Sequence, residues 1–214
     1  MAETREAREV AVPREPALSD PAPLGLAAFA LTTFVFSLVN AGLISPGEGP
    51  ENQIVNLYLP LALFYGGLAQ LIAGLFEFRT GNTFALTGFV SYGAFWIALA
   101  VLNIFARQLN IAPERLAEAQ GWFFLGWTIF TAIMLVAAFG LNAGLITTFV
   151  LLLATFILLT IGDLLGGPEA SAGAIWVRLG GYVGILTAIA AWYVAAADVI
   201  NDTLGRTVLP VGGE

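Results

Sequence analysis

Three sets of hydroxyl-bearing residues recur at helical spacing inside apolar runs. Phe29, Thr33, Ser37 and Asn40 fall at i, i+4, i+8 and i+11, which is one face of a helix. Thr83, Thr87 and Ser91 share a second face with Tyr92 beside them, and Thr148, Leu152 and Thr155 share a third. Neutral hydroxyls inside a membrane have two uses. They bond across helices or back to their own backbone, worth about 0.6 kcal/mol on average. Alternatively they line a path in which a polar solute trades water for them. A small carboxylate or carboxylic acid suits the second use, and the bulk of Phe29, Tyr92 and Leu152 would narrow such a path against larger solutes. Either reading fits any one threonine, but three stripes on three helices of like direction favour a shared path. The pairs Thr33-Phe34, Thr83-Phe84 and Thr148-Phe149 hint at a three-fold repeat of helical hairpins whose odd-numbered helices face one another.

Ionisable residues keep to the ends of the apolar runs: Glu77, Arg79, Asp163, Arg178 and Asp198. A charge at mid-membrane is costly and marks an ion or proton pathway; none stands at that depth, and no arginine falls in the path. We read these five as interface anchors, with Glu77, beside Arg79, as the candidate proton-coupling carboxylate. The chain has no histidine and no cysteine. That excludes Ser-His-Asp and thiolate nucleophiles and His- or Cys-ligated metal, so we expect no enzyme, no metal and no cofactor. Fifteen acidic residues against eight basic ones, all arginine, give a net charge of −7, the opposite of a phosphate-binding surface. No nucleic-acid partner is expected.

The elements that position these residues follow from composition. Of 214 residues, 58% are hydrophobic and 11% charged, and the mean hydropathy is +0.86, whereas soluble domains carry about 25% charged residues. Apolar runs at Leu24–Ile44, Leu57–Phe78, Phe84–Phe105, Gly121–Leu141, Leu145–Gly162 and Gly173–Val199 each approach the roughly 20 residues a membrane helix needs. Proline and glycine punctuate the intervals, with a polar loop at Arg107–Gln120. The expected fold is all-α: six transmembrane helices around a central pore in residues 24–212, after a disordered cytoplasmic tail in residues 1–23, which lacks the apolar stretch of a signal peptide. Arg5, Arg8, Arg14, Arg79 and Arg206 fall on one side against Arg107, Arg115 and Arg178 on the other. Positive charge stays inside, so both termini are expected in the cytoplasm. Glycine and alanine ladders, Gly66, Gly67, Ala69, Ala73 and Gly74 in the second span and Gly180, Gly184 and Ala188 in the last, let helices approach closely, within a subunit or between subunits. Trp96, Trp122, Trp127, Trp176 and Trp192 are expected to form an interfacial belt.

Longer motifs carry a family resemblance. Asp20-Pro21-Ala22-Pro23-Leu24-Gly25-Leu26, continuing to Phe29, Thr32-Thr33 and Asn40-Ala41-Gly42, resembles the signature of the acetate uptake transporter family. Phe64-Tyr65-Gly66-Gly67-Leu68-Ala69-Gln70, Glu77 to Phe84, Ser91-Tyr92-Gly93-Ala94-Phe95-Trp96 and Gly205-Arg206-Thr207-Val208-Leu209-Pro210 resemble its later motifs. The resemblance implies transport of acetate, and of succinate or other small carboxylates, by a six-helix subunit of a homohexamer in the cell membrane. Phe29, Tyr92 and, by spacing, Leu152 match its constriction; Thr32 joins the pore-lining set, and Ala191 falls near its selectivity region. One departure is Asp20, where the signature has Asn: it can still cap the helix start, but its charge would repel an anion. Proton-linked and channel-like transport both stay open, as do ammonium export and a non-transporting structural role.

Overall fold

The computed structural model describes residues 19–44 and 54–213. The expectations for residues 1–18, and for the proline–glycine segment at 45–50, lie outside the described residues. Among the described residues six helices are long and apolar enough to cross a membrane: α1 (Ala22–Asn40), α2 (Tyr58–Thr80), α3 (Thr83–Gln108), α4 (Pro113–Ala138), α5 (Ala143–Leu164) and α6 (Ser171–Leu204). No strand occurs among the described residues.

Each expected span is present, and its edges move where a cap overrides hydropathy. The first helix ends at Asn40 rather than Ile44, because Gly42 turns left-handed with φ +73° and Leu43 N–H donates back to Leu38 O at 3.0 Å. The fourth begins at Pro113, not near Gly121, and the third runs to Gln108, so most of the expected Arg107–Gln120 loop is helical. Extended Ala112 precedes a proline in the first turn, a favoured start, and Arg115 pairs with Glu118 at 2.9 Å. The polarity there marks a helix reaching past the apolar layer. At the other end, α6 runs on to Leu204, where Gly205 (φ +61°) stops it.

Consecutive helices lie side by side, and α6 closes the ring against α1. Small residues permit this within one subunit, which answers the question the ladders left open. A Cβ on Gly181 would sit 2.7 Å from the backbone of Asn40, one on Gly66 would reach 2.7 Å from Thr32 Cβ, and Gly184 faces Ser37. Around Gly66 the second helix widens to a π-helical stretch, Phe64–Ala69, a local feature found often at functional sites. Of the sequence-adjacent helices, α3 and α4 approach least closely. Rings fill their seam: Phe95 stacks on Phe123 at 5.5 Å and meets Trp127 edge-on at 5.1 Å. Trp96 is not an interfacial residue; only 2% exposed, it packs edge-on against Phe36 at 5.6 Å.

The closing Gly205–Pro210 motif folds back as a strap. Asn201 accepts from Val208 N–H (2.7 Å) and Leu209 N–H (3.0 Å) and donates to Leu209 O. Beyond it, Gly212 O and Val211 O accept from Ala143 N–H and Gly144 N–H, two of the donors an α-helix start leaves unpaired. The strap thereby fixes the α4–α5 turn at the end of the bundle where the chain termini lie.

Candidate functional site

Two cavities enter the ring from opposite ends. The one at the terminal end, about 290 Å³, is bordered by Asp20, Phe29, Gln70, Tyr92, Thr148, Phe149, Leu152 and Asp198, among others. The far cavity, about 570 Å³, is bordered by residues including Phe36, Asn40, Tyr58, Asn103, Arg107, Phe124, Asp163 and Arg178. They share no lining residue. On α1 the step from Phe29 to Phe36 is seven residues, as is the step from Leu152 to Leu159 on α5, so a plug about 10 Å thick separates them.

The three expected constriction residues come together at the terminal-end face of that plug. Phe29 and Tyr92 lie with ring centroids 5.9 Å apart, and Leu152 shares their buried cluster. Phe149 closes the third side against Tyr92 (6.3 Å) and Phe84 (5.3 Å). These contacts join α1, α3 and α5, so the odd-numbered helices do face one another. On the far side, Phe36 and Phe124 meet edge-on at 6.4 Å.

Within the plug, α1 carries the stripe as expected. Thr32, Thr33 and Ser37 are buried, and Asn40 opens onto the far cavity. The hydroxyls of Thr32 and Thr33 have no hydrogen-bond partner although both are buried. Such a group costs about 1–3 kcal/mol; Thr32 Oγ1 lies against Gly66 of α2, and neither threonine borders a cavity. The α5 stripe is also inside, but its hydroxyls are engaged. Thr148 donates to Gly144 O at 2.9 Å, and Thr155 donates to Leu151 O and lies 3.1 Å from Thr187 Oγ1. Ala191 is wholly buried in the same cluster as Tyr92 and Leu152.

The α3 stripe is corrected. Thr83 and Thr87 are exposed on the outer surface, and Ser91, half-buried, borders neither cavity. The inward face of α3 is Ala85, Gly88, Tyr92 and Phe95 instead. A helical threonine can satisfy its hydroxyl on its own backbone, so polarity does not oblige it to face inward.

Glu77 is 1% exposed, buried among the helices three residues from the end of α2. Its Oε2 accepts from Thr80 Oγ1 at 2.7 Å, and its Oε1 has no partner. The expected pairing with Arg79 does not occur: among the described residues the one ion pair is Arg115–Glu118. Asp20, one residue ahead of the N-cap Pro21, accepts from Ala22 N–H at 2.9 Å at the start of α1, and its carboxylate neighbours Glu77 and Asp198. No arginine borders the terminal-end cavity, but Arg107 and Arg178 border the far one. The expectation of a path without arginine is therefore corrected; a residue that reads as an end anchor can also border a vestibule.

Two residues escaped the sequence reading. Gln70 is fully buried, borders the terminal-end cavity and leaves Oε1 unpaired; a glutamine in the middle of a predicted span was the available signal. Thr131 on α4 holds the Tyr92 hydroxyl, a pairing that no local spacing announces.

The defining pattern described as the GPR1/FUN34/yaaH family matches residues 4–212. The chain is 35% identical over 195 residues to the succinate-acetate/proton symporter SatP of Escherichia coli K12, covering 91% of this chain and 96% of that protein. It is 38% identical over 201 residues to acetate permease A of Emericella nidulans, covering 90% of this chain but only 65% of the longer fungal protein. Its fold is similar to that of a solved structure titled the bacterial acetate channel SatP, with a TM-score of 0.80 and 36% identity over 92% of this chain and all of the other.

Proposed function

This chain belongs to the GPR1/FUN34/yaaH family, and on that premise we propose that it carries acetate, and succinate as a second substrate, along the path between the two cavities. One observation supports the reading most: Phe29, Tyr92 and Leu152 converge from three helices onto a plug whose Thr32 and Thr33 hydroxyls are unpaired. Those hydroxyls replace water around a carboxyl group, and the apolar ring limits its size. Thr33, Ser37 and Ala191 border the passage in this proposal, while Thr148 and Thr155 support it through their own bonds.

Proton linkage follows from the terminal end. Asp20 and Asp198 border that cavity without a basic residue, and Glu77 lies close by. An anion is repelled there, whereas the neutral acid is not. With a carboxyl pKa near 4.3, about one molecule in 500 is neutral at pH 7, so a protein carboxyl that exchanges a proton with the acid raises the share of the neutral form at this mouth. Glu77, with one oxygen unpaired, is the group we assign to that transfer. We place both termini in the cytoplasm by the arginine bias, and assign the subunit to a homohexamer in which each protomer holds its own path. The exposed apolar faces of α2 and α4, with Phe78 76% and Val136 72% exposed, provide surface for lipid or neighbours.

The acidic mouth also suits a cation. A Saccharomyces cerevisiae relative named ammonia transport outward protein 2 is 37% identical over 185 residues, so ammonium export is the second reading. Labelled acetate uptake challenged with unlabelled succinate or with ammonium separates them: competition by succinate alone supports carboxylate transport, and competition by ammonium alone supports the other.

A further inference from the structure

Arg178 and Asn40 are donors without acceptors in one cavity. Asn40 Nδ2 is buried and has no hydrogen-bond partner. Arg178 forms no hydrogen bond or ion pair with any described residue, and both residues border the far cavity. The backbone brings them together. α6 presses on the end of α1 at Gly181, where an added Cβ would lie 2.7 Å from the Asn40 carbonyl carbon. Arg178 is three residues earlier on α6, on the same face, and a Cβ on Gly42 would lie 3.7 Å from its Nε.

Other charges facing this cavity do not fill the gap. Glu169, like Arg178 itself, is exposed; it stands on the short turn Gly167–Glu169 before α6 and makes no ion pair with Arg178. Arg107 is already engaged. Asp163 is the buried carboxylate, yet it makes no ion pair with Arg178. Arg178, exposed at this mouth, is an unpaired cation beside the Phe36–Phe124 contact, and a carboxylate is its chemical complement, while the unpartnered Asn40 amide is closed to solvent at rest.

We propose that Arg178, at the mouth that Asn40 also borders, forms a carboxylate-capture subsite in the far cavity, holding the anion of the transported acid before it meets the Phe36–Phe124 ring. The subsite rests on the carboxylate-transport reading and adds to it a place of first binding. It also gives the path a polarity: the anion is favoured at the mouth that holds arginines beside its carboxylates, and the neutral acid at the mouth that holds carboxylates alone.

Because the chain has no cysteine, R178C creates a single thiol that can be modified in the purified protein before reconstitution. Acetate uptake into proteoliposomes is measured against acetate concentration. R178C is expected to raise the half-saturating concentration about tenfold, the worth of one charge-assisted hydrogen bond. Attaching an aminoethyl group, which restores a positive charge, is expected to reverse most of that rise; a methylthio group of neutral charge is not. Equal half-saturation for the two modified forms, or no change from the parent in R178C, overturns the subsite. Should R178C give no flux, R178K and R178Q decide instead. K close to the parent with Q displaced supports the subsite, and K and Q displaced alike, or neither displaced, overturns it. A parent without saturable acetate uptake defeats the transport reading itself, an outcome distinct from an intact parent with an indifferent Arg178.

Discussion

The hydroxyls of Tyr92 and Thr131 lie 2.9 Å apart, buried between α3 and α4. The phenol at the constriction is therefore already bound to the protein, and its ring, rather than its oxygen, faces Phe29 and Leu152. Tyr92 also touches Trp127 at 5.9 Å and Phe130 at 5.4 Å, so its orientation is fixed from behind by α4.

Size and hydrogen bonding at Tyr92 are expected to separate. Tyr92→Phe keeps the ring and should keep acetate selectivity, at a cost of about 1–2 kcal/mol from the Thr131 hydroxyl left without its partner. Thermal unfolding in detergent measures that loss. Tyr92→Ala removes the ring and should admit longer acids. Selectivity lost in Tyr92→Phe would show that the phenol binds substrate.

Leu152→Ala and Phe29→Ala should likewise widen the ring, so that lactate competes with labelled acetate where it does not in the parent. Each truncation should cost about 2–4 kcal/mol of stability as a core cavity. Unchanged competition by lactate in these two and in Tyr92→Ala would remove the size-selecting role of the ring.

The unpaired and paired threonines should respond in opposite ways. Thr32→Val and Thr33→Val delete buried hydroxyls that have no protein partner, so stability should hold or rise slightly while acetate flux falls about tenfold. Thr155→Val breaks the contact with Thr187 and should cost about 1 kcal/mol with a smaller effect on flux. Melting curves and uptake rates on the same preparations test the contrast.

Glu77→Gln keeps the shape and the Thr80 contact but cannot carry a proton. Acetate uptake driven by an inward proton gradient should fall to the rate seen without one. A response equal to the parent's would take the coupling role from Glu77 and leave Asp198 as the next carboxylate to test.

The six spans were legible because each must present its own run of apolar side chains to lipid, a local property of sequence. Their ends were less so: Gly42, Pro113 and Gly205 set them through backbone geometry, inside or beyond the apolar runs. The meeting of Phe29, Tyr92 and Leu152 was legible because Phe29 and Tyr92 sit in long motifs and Leu152 lies between two helical threonines. Azimuth was not visible. Thr83, Thr87 and Ser91 have the right period, but a period establishes that a face exists and not which way it points. The engagement of Tyr92 by Thr131, and the approach of Arg178 to the end of α1, join residues far apart in the chain and depend on how whole helices cross.

The most direct measurement is uptake of labelled acetate into proteoliposomes holding the purified parent protein, with a proton gradient imposed and then collapsed. Saturable uptake that succinate inhibits, and that falls when the gradient is removed, is the result expected. Uptake no faster than into protein-free liposomes at every acetate concentration and gradient would contradict it.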